Sequence, residues 1–398
     1  MIPRHLANTL IRAAKQYPIV TVTGPRQSGK TTLARAAFNK HEYVSLENPD
    51  ERTFAAEDPR GFLARFRGPV IFDEAQRVPS LFSYLQEVVD NEDRAGRFVL
   101  TGSQNFLLLN AINQSLAGRT SVLHLLPLTY GEVIGRKPLS ADAIGRDARK
   151  STEIHVDPFQ VMHRGFYPRI HDKKLDAQDW LRNYTQTYLE RDVREIVNVG
   201  DIEAFGRFLR LCAGRCGQLL NVSGLGADCG ISSVTARRWL SILETSFIVF
   251  LLRPHHRNFS KRLVKSPKLY FFDTGLLCYL LRIRSPEDLR THAQRGSVFE
   301  SFVISETAKH RYNRGVEPYL YFWRDSTGNE VDLILDWKDR LLPVEIKSGE
   351  TVADDFFKGL EYWCGLEKEQ SGQPALVYGG DVSYKRHGMN VYSWRDWV

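Results

Sequence analysis

The segment TVTGPRQSGKTTLARAAF, residues Thr21 to Phe38, constrains this chain more than any other. A β-branched run enters it, a loop with two glycines follows, and a stretch with helical spacing leaves it, so the pattern predicts strand, loop and helix. The loop and the first helical turn match GxxxxGK[ST], in which backbone N–H groups and the helix N-terminus together attract phosphate oxygens. We therefore expect a nucleotide-phosphate site here.

The loop glycines, Gly24 and Gly29, permit the backbone angles that bring N–H groups toward phosphate. Lys30 supplies a point charge for the β- and γ-phosphates, and Thr31 offers its hydroxyl to Mg²⁺. The expected ligand is ATP with Mg²⁺, and the alternative is a chance glycine turn that caps a helix. The predicted nucleotide-binding residues are Gly24, Pro25, Arg26, Gln27, Ser28, Gly29, Lys30, Thr31 and Thr32.

A second apolar run, PVIFDEAQ, contains two adjacent acids, Asp73 and Glu74. Neighbouring side chains diverge in an extended strand, so Asp73 can hold the Mg²⁺ shell while Glu74 points toward a water that attacks the γ-phosphate. This arrangement predicts hydrolysis, and a pair of exposed carboxylates at a strand end is the alternative. A kinase is disfavoured, because Glu74 would place a water activator where a kinase needs its acceptor.

Two further segments carry polar side chains suited to the same site. In LTGSQ, which ends a third apolar run, Ser103 or Gln104 is the candidate for orienting the water or sensing the γ-phosphate, although Gly-Ser is also common in turns. In LAGR, Arg119 is predicted to reach a neighbour's nucleotide as an arginine finger, which implies a homo-oligomer. The alternative is an arginine that satisfies carbonyls at a helix end.

Taken together, GPRQSGKTT, VIFDEAQ, LTGSQ and LAGR resemble one branch of the AAA+ ATPases. This is the prokaryotic family with an archaeal-ATPase-like AAA+ core and an uncharacterised C-terminal domain, and the resemblance spans the chain. It implies an ATPase core with a five-stranded parallel sheet in residues 1–127 and a small helical lid in 128–200. Arg164 and Arg169 are the candidates for the sensor arginine of that lid.

Residues 201–284 carry a helix-turn-helix pattern, with a first helix over Val222–Cys229 and a second one capped by Ser232. The second helix is expected to bury Val234, and a strand and a basic hairpin after it complete a winged helix. The net charge of +7 is compatible with a double-stranded DNA partner, while a docking module for proteins is the alternative. The predicted phosphate contacts are Arg237, Arg238, Arg257, Lys261 and Arg262.

In residues 285–398, the alternating runs of GNEVDLILDWKDRLLPVEIKSG predict a hairpin. Asp332 lies on its first strand, and Glu345 and Lys347 share one face of the second. Two carboxylates beside a lysine can hold Mg²⁺ and activate water for phosphodiester attack, and Glu300, in an upstream helical pattern, is a further candidate ligand. The pattern resembles the PD-(D/E)xK nuclease superfamily and coincides with the C-terminal domain of the AAA+ family.

The expected fold is α/β: an AAA+ parallel sheet with a helical lid, a winged-helix domain and a restriction-endonuclease-like C-terminal domain. The expected function is ATP hydrolysis by a protein that acts on DNA or is bound to it, with a C-terminal module that either cleaves DNA or only binds it. The alternative is a nucleotide switch that docks protein partners, with Asp332, Glu345 and Lys347 as a surface salt-bridge cluster. Five cysteines without a CxxC pair and the absence of a long apolar run predict a cytoplasmic protein without a membrane segment.

Overall fold

The computed structural model describes residues 1–92, 94–103, 108, 112, 115–138, 156–189, 202–255, 264–337, 340–366 and 372–398. Three of the predicted DNA contacts, Arg257, Lys261 and Arg262, lie outside the described residues, as does the alternative sensor Gln104. No helix within the described ranges is long and apolar enough to cross a membrane.

A five-stranded sheet organises the N-terminal part of the chain. Its strands follow the spatial order β2-β3-β4-β1-β5, and every neighbouring pair is parallel, which confirms the predicted parallel sheet. The strands are β1 Ile19–Thr23, β2 Glu42–Ser45, β3 Val70–Asp73, β4 Phe98–Gly102 and β5 Thr120–His124. The helices of this part are α1 Ala7–Ala14, α2 Lys30–Ala37, α3 Pro49–Glu57, α4 Pro59–Ala64 and α5 Leu81–Glu92.

Alternate residues of these strands enter two different apolar clusters. Phe72 and Phe98 stack on one face of the sheet with ring centroids 5.8 Å apart. Ile71 and Val99, their neighbours in sequence, belong to the cluster on the other face. Because both faces are covered, every residue of β1, β3 and β4 is buried, and the polar side chains that matter collect at the carboxyl edge of the sheet.

Helices dominate the middle of the chain, and α11 and α12 are the two helices of the predicted helix-turn-helix pattern. Ser232 caps α12 as expected, since its hydroxyl accepts from Thr235 N at 3.1 Å. The expectation that Val234 is buried was wrong: it is 75% exposed, because it lies in the first turn on the side away from buried Trp239. The helices are α6 Tyr130–Val133, α7 Pro158–Arg164, α8 Pro168–Asp172, α9 Ala177–Tyr184, α10 Ile202–Gly214, α11 Val222–Cys229 and α12 Ser233–Thr245.

An eight-stranded mixed sheet with the order β12-β13-β11-β10-β9-β8-β6-β7 forms the rest of the fold. Strands β6 and β7 form the antiparallel pair expected for a wing, but β6 also pairs in parallel with β8 at Arg253 and Tyr321. Strands from both sides of residue 284 therefore share one sheet, and the four-domain division stays a prediction. The strands are β6 Val249–Pro254, β7 Lys268–Phe271, β8 Leu320–Arg324, β9 Glu330–Asp336, β10 Leu341–Lys347, β11 Ala375–Tyr378, β12 Tyr384–Arg386 and β13 Met389–Ser393.

Helix α15, 18 residues long, runs through the interior of this second part. It is buried on all sides over most of its length, including at polar residues such as Glu306 and Lys309. A helix buried all round needs partners for its charges, because an unpaired buried ion is costly. The helices of this part are α13 Thr274–Leu280, α14 Pro286–Thr291, α15 Arg295–Tyr312, α16 Lys358–Leu366 and α17 Trp394–Trp397.

A buried ion triad joins β7, α15 and β9. Lys268 is 3% exposed, and its Nζ lies 3.3 Å from Glu300 Oε1 and 2.5 Å from Glu330 Oε1. Burial lowers the pKa of Lys268, but the negative charges of Glu300, Asp332 and Glu330 outweigh burial and raise the pKa above its usual value. The lysine is therefore charged and compensates carboxylates that belong to two other elements.

We expect Lys268→Met to lower the free energy of unfolding by about 3–5 kcal/mol, because it leaves buried carboxylates without their cation. The loss should shrink as the pH falls from 8 to 5, since protonation can then neutralise Glu300, whose pKa is already raised by burial. Urea denaturation across this pH range measures both effects. Lys265→Met, at an exposed neighbour, is the matched control and should change little; equal stability of the two variants would contradict the prediction.

Candidate nucleotide site

The phosphate loop, Gly24–Gly29, connects β1 to α2 through two positions that only glycine fits. Gly24 has a φ of +150°, and a Cβ there would lie 2.1 Å from the carbonyl oxygen of Leu125. Gly29 has a φ of +91° and directly precedes the first residue of α2. Backbone N–H groups and the N-terminus of α2 therefore face the same space, as phosphate binding requires.

Thr31 and Asp73, predicted separately as magnesium ligands, lie side by side. Thr31 Oγ1 donates to Asp73 Oδ1 at 2.9 Å and to Oδ2 at 3.0 Å. Asp73, at the carboxyl end of β3, also accepts hydrogen bonds from the hydroxyls of Thr101 and Tyr43. A hydroxyl beside a carboxylate is the oxygen donor chemistry that Mg²⁺ prefers, so these residues fit the expected ion.

Glu74 has a φ of 55°, a left-handed conformation that is uncommon for a residue other than glycine. Its Oε2 accepts from Ser103 Oγ at 2.9 Å and from Gln76 Nε2. Burial raises the pKa of Glu74, but the charge of Lys30 and these hydrogen bonds outweigh burial and leave the pKa below its usual value. Glu74 is thus an ionised carboxylate next to the phosphate loop, and Ser103 lies where the sequence predicted a sensor.

A cavity of about 960 Å³ opens over the phosphate loop. The loop and Glu74 form one side of it, and α8 contributes the other side. Of the two candidate lid arginines, Arg169 lines this cavity, whereas Arg164 is not among its lining residues. Its apolar lining includes Ile2, Pro3, Ala7, Ile11 and Leu33, and its polar lining includes Lys30, Thr31, Glu74, Ser103, Arg169 and Lys173.

Sequence reasoning missed several partners of the site. Tyr43 OH donates to Asp73 Oδ2 at 2.9 Å, and burial together with the charge of Asp73 raises the pKa of Tyr43 to about 12. Gln76 lies in the predicted segment, but nothing in the motif assigned it to Glu74. Tyr43 is 30 residues away from Asp73 and follows no recognisable pattern, so only the pairing of β2 with β3 could have revealed it.

Arg119 lies at the amino ends of the parallel strands, opposite the carboxyl ends that adjoin the phosphate loop. Its carbonyl oxygen accepts from Ile19 N, at the start of β1, whereas the phosphate loop follows the end of that strand. Five residues of strand span roughly 16 Å, so the guanidinium is far from the phosphate loop of its own chain. It contacts Asp90 through two hydrogen bonds of 2.5 and 2.9 Å. The role in a neighbour's site stays a prediction.

The four residues predicted as a nuclease-like centre also converge. Lys347 Nζ contacts Glu345 and lies 3.4 Å from Asp332 Oδ2, which also accepts from Ile346 N at 2.9 Å. Together with the ion triad they form one cluster, called the C-terminal ion cluster below. Its members are Lys268, Glu300, Glu330, Asp332, Glu345 and Lys347.

The C-terminal ion cluster differs from the surface salt-bridge interpretation, and the nuclease interpretation stays a prediction. Asp332 is 8% and Glu345 9% exposed, whereas the side chain of Lys347 is 31% exposed, so the cluster is mostly buried and reaches solvent at Lys347. Lys268 contacts Glu300, and Lys347 contacts Asp332 and Glu345; among the described residues no group of three or more His, Cys, Asp or Glu side chains is arranged to hold a metal ion. Burial and the charge of Asp332 raise the pKa of Glu345.

Three family models match successive parts of the chain. The model of an AAA domain covers residues 16–134, one domain of unknown function (DUF8612) covers 157–287, and another (DUF4143) covers 295–397. The AAA match contains the phosphate loop, Asp73, Glu74 and Ser103, so the N-terminal part is an AAA-type ATPase core.

Two relatives match nearly the whole length of this chain. Two uncharacterized proteins, Rv2008c of Mycobacterium tuberculosis and Mb2031c of Mycobacterium bovis, are each 32% identical over 380 residues, 95% of this chain and 80% of theirs. The solved structure of the Walker-type ATPase PABY2304 of Pyrococcus abyssi is 14% identical, with 71% of this chain and 96% of that chain covered and a TM-score of 0.45. Because of the 32% identity over 380 residues, the chain belongs to the same protein family as Rv2008c and Mb2031c.

Proposed function

We propose that this protein binds ATP with Mg²⁺ at the phosphate loop and hydrolyses it with water activated by Glu74. The observation that carries the proposal is the hydrogen bond from Thr31 to Asp73, together with the ionised Glu74, which lines the same cavity as Thr31. The AAA-domain match over residues 16–134 supports the ATPase class independently.

The chain's own residues suit each step of hydrolysis. Lys30 Nζ donates to the carbonyls of Gly24 and Pro25 at 3.0 and 2.8 Å, so its charge lies within the loop that receives phosphate. Thr31 and Asp73 would hold Mg²⁺, which neutralises charge on the phosphates when it is bound.

Glu74 accepts a proton from the attacking water. The water oxygen forms a bond to the γ-phosphorus, the bond to the bridging oxygen breaks, and ADP and phosphate leave. Ser103 fixes the Glu74 carboxylate through its hydrogen bond of 2.9 Å. Arg169 enters the same cavity from α8 and is the lid arginine that this geometry favours.

The exposed face of α12 is the best candidate for a DNA contact. Arg237 and Arg238 are exposed on this helix, and no strand or helix of the described residues covers their side chains, as expected for contacts to phosphates. Docking of a protein partner on the same face, which includes Val234 at 75% exposure, is the second candidate. Double-stranded DNA is our first proposal for the partner.

For the C-terminal ion cluster we favour a structural or binding role over cleavage. Lys268, which the nuclease pattern does not include, already engages Glu300, a carboxylate predicted to bind the metal of a nuclease. A homo-oligomer remains our proposal for the assembly, because Arg119 can act on a nucleotide only if a neighbouring chain brings that nucleotide to it.

Replacing Glu74 with Gln should lower kcat for ATP hydrolysis at least about 100-fold, because the water loses its base, while KM changes only a few-fold. Replacing Lys30 with Ala should instead abolish ATP binding at micromolar concentrations. Steady-state phosphate release gives kcat and KM for Glu74→Gln and should show no turnover for Lys30→Ala. Glu87→Gln, at an exposed glutamate paired with Arg60, is the matched control. If Glu74→Gln kept a third or more of the wild-type kcat, the proposed base would be wrong.

Duplex DNA should stimulate the ATPase, and the double variant Arg237→Ala/Arg238→Ala should lose this response. Because each phosphate contact adds about 0.9 to the slope of log affinity against log salt, the variant's slope should be smaller by roughly 2. Fluorescence anisotropy with a labelled duplex at several salt concentrations measures it. Arg207→Ala/Arg210→Ala removes the same charge from exposed positions of α10 and is the control.

An ATPase rate indifferent to DNA would favour the protein-docking alternative, for which Val234→Asp is the test variant.

A further inference from the structure

Arg4, outside every motif that the sequence identified, donates to three partners at once. Its Nη1 lies 2.6 Å from the carbonyl oxygen of Ser28 in the phosphate loop, and its Nη2 lies 2.7 Å from the carbonyl oxygen of Leu126. Its Nε lies 3.1 Å from Glu132 Oε1. The Arg4 side chain is 7% exposed and that of Glu132 is fully buried, so water competes little with these contacts.

We propose that Arg4 is a positioning residue of the ATP site that couples the phosphate loop, through Glu132 and helix α15, to the C-terminal sheet. The proposal rests on the ATPase function proposed above. Arg4 contacts neither Glu74 nor the predicted magnesium ligands. It instead holds the backbone of the loop that leads into Lys30 and Thr31.

Glu132 is the next member of the connection. Its Oε1 also accepts from His5 N at 2.6 Å, and its Oε2 accepts from Thr129 N at 2.8 Å in a capping box at the start of α6. Burial raises the pKa of Glu132, but the charge of Arg4 and these backbone hydrogen bonds outweigh burial and hold the pKa below its usual value. An ionised, fully bonded Glu132 therefore fixes residues 128–132 relative to Arg4.

The other side of residues 128–132 is attached to α15. Glu306 Oε2 accepts from Tyr130 N at 2.7 Å, and Lys309 Nζ donates to the carbonyl oxygen of Leu128 at 3.1 Å. Glu306 and Lys309 form a pair of 2.9 Å in which neither side chain is more than 1% exposed. A buried pair with both partners bonded to the same segment is expensive to break, so this segment and α15 move together.

The same helix carries Glu300 of the C-terminal ion cluster. Six residues separate it from Glu306, which is about 9 Å along a helix. The connection therefore runs from Ser28 to Arg4, from Arg4 to Glu132, along the backbone of residues 128–132, and through α15 to Lys268. Its steps are ion pairs, charged hydrogen bonds and continuous backbone. Such chains of specific contacts are a physical route by which two sites can affect one another.

Phosphate binding acts at the first step of this connection. Lys30 Nζ bonds to two loop carbonyls, and a bound phosphate would compete for that ammonium group. The loop carbonyls then lose a donor, while Arg4 continues to hold Ser28 between them and α2. We expect the loop carbonyls to shift when they lose this donor, and we expect Arg4, bonded to Ser28 in the same loop, to transmit the shift to Glu132.

The experiment compares wild type, Arg4→Ala and Arg12→Ala. Arg12, on α1, donates to the carbonyl oxygen of Arg314 just beyond α15 but contacts no residue of the phosphate loop, so it is the matched control. Steady-state kinetics give kcat and KM for ATP. Hydrogen exchange followed by mass spectrometry, with and without a non-hydrolysable ATP analogue, gives the response of the peptide covering residues 295–312.

In wild type and Arg12→Ala, the analogue should slow exchange in residues 295–312. Arg4→Ala should raise KM at least about 10-fold, leave kcat at saturating ATP within about 3-fold, and abolish the exchange response even when the analogue is saturating. Arg4→Lys, which retains the charge beside Glu132 but cannot span three acceptors, should raise KM by less. This variant decides the matter if Arg4→Ala does not fold.

An unchanged KM, or a wild-type exchange response at residues 295–312, in the variant that folds would overturn the proposal. A kcat that falls with KM unchanged would overturn it as well, because a positioning residue of the loop acts on binding. If wild type itself does not bind the analogue, the ATPase function is refuted instead. Binding to wild type is therefore measured before the variants are compared.

Discussion

The hydrogen bond between Thr31 and Asp73 is the contact on which the nucleotide site depends. It joins the first turn of α2 to the carboxyl end of β3, and both residues reach it only because Gly24 and Gly29 allow the loop its backbone angles. The parallel sheet fixes the second half of the geometry, since neighbouring strands end at the same edge. Asp73 and Ser103 are thereby brought to the loop from strands that lie far apart in sequence.

Buried charge organises the remainder of the molecule in a similar way. Helix α15 carries Glu300, which contacts Lys268, and Glu306, which contacts Lys309. These contacts fix the relative positions of elements that apolar packing alone would not fix. The cost of desolvating these groups is offset only when every partner is in place. This requirement makes the arrangement of α15 relative to the AAA core and the second sheet specific, and it gives the two ends of the chain a shared structural element.

The strand, loop and helix start of the phosphate loop could be predicted from the sequence because their information is local: the loop, the helix start and the strand ends each appear in contiguous motifs. The parallel sheet and the two helices around Gly230 followed from the same kind of signal. Contacts between distant segments were not predictable, and Arg4, which is 128 residues from Glu132, has no signature of its own.

Spacing in the C-terminal hairpin correctly indicated that Asp332, Glu345 and Lys347 share a face, but not that Lys268 from another strand would join them. That lysine adds to the cluster a positive charge that no sequence pattern indicated. Val234 shows the limit of helical periodicity: apolar spacing indicates a face, but in the first turn of a helix there is no preceding turn to cover the side chain.

Isothermal titration of ATP into the purified protein, with and without Mg²⁺, tests the central claim most directly. We predict saturable binding that is at least tenfold tighter with Mg²⁺, and we predict that Asp73→Asn removes this dependence on the ion while the fold is retained. Absence of ATP binding in the presence of Mg²⁺, or equal affinity with and without the ion in wild type, would contradict the account.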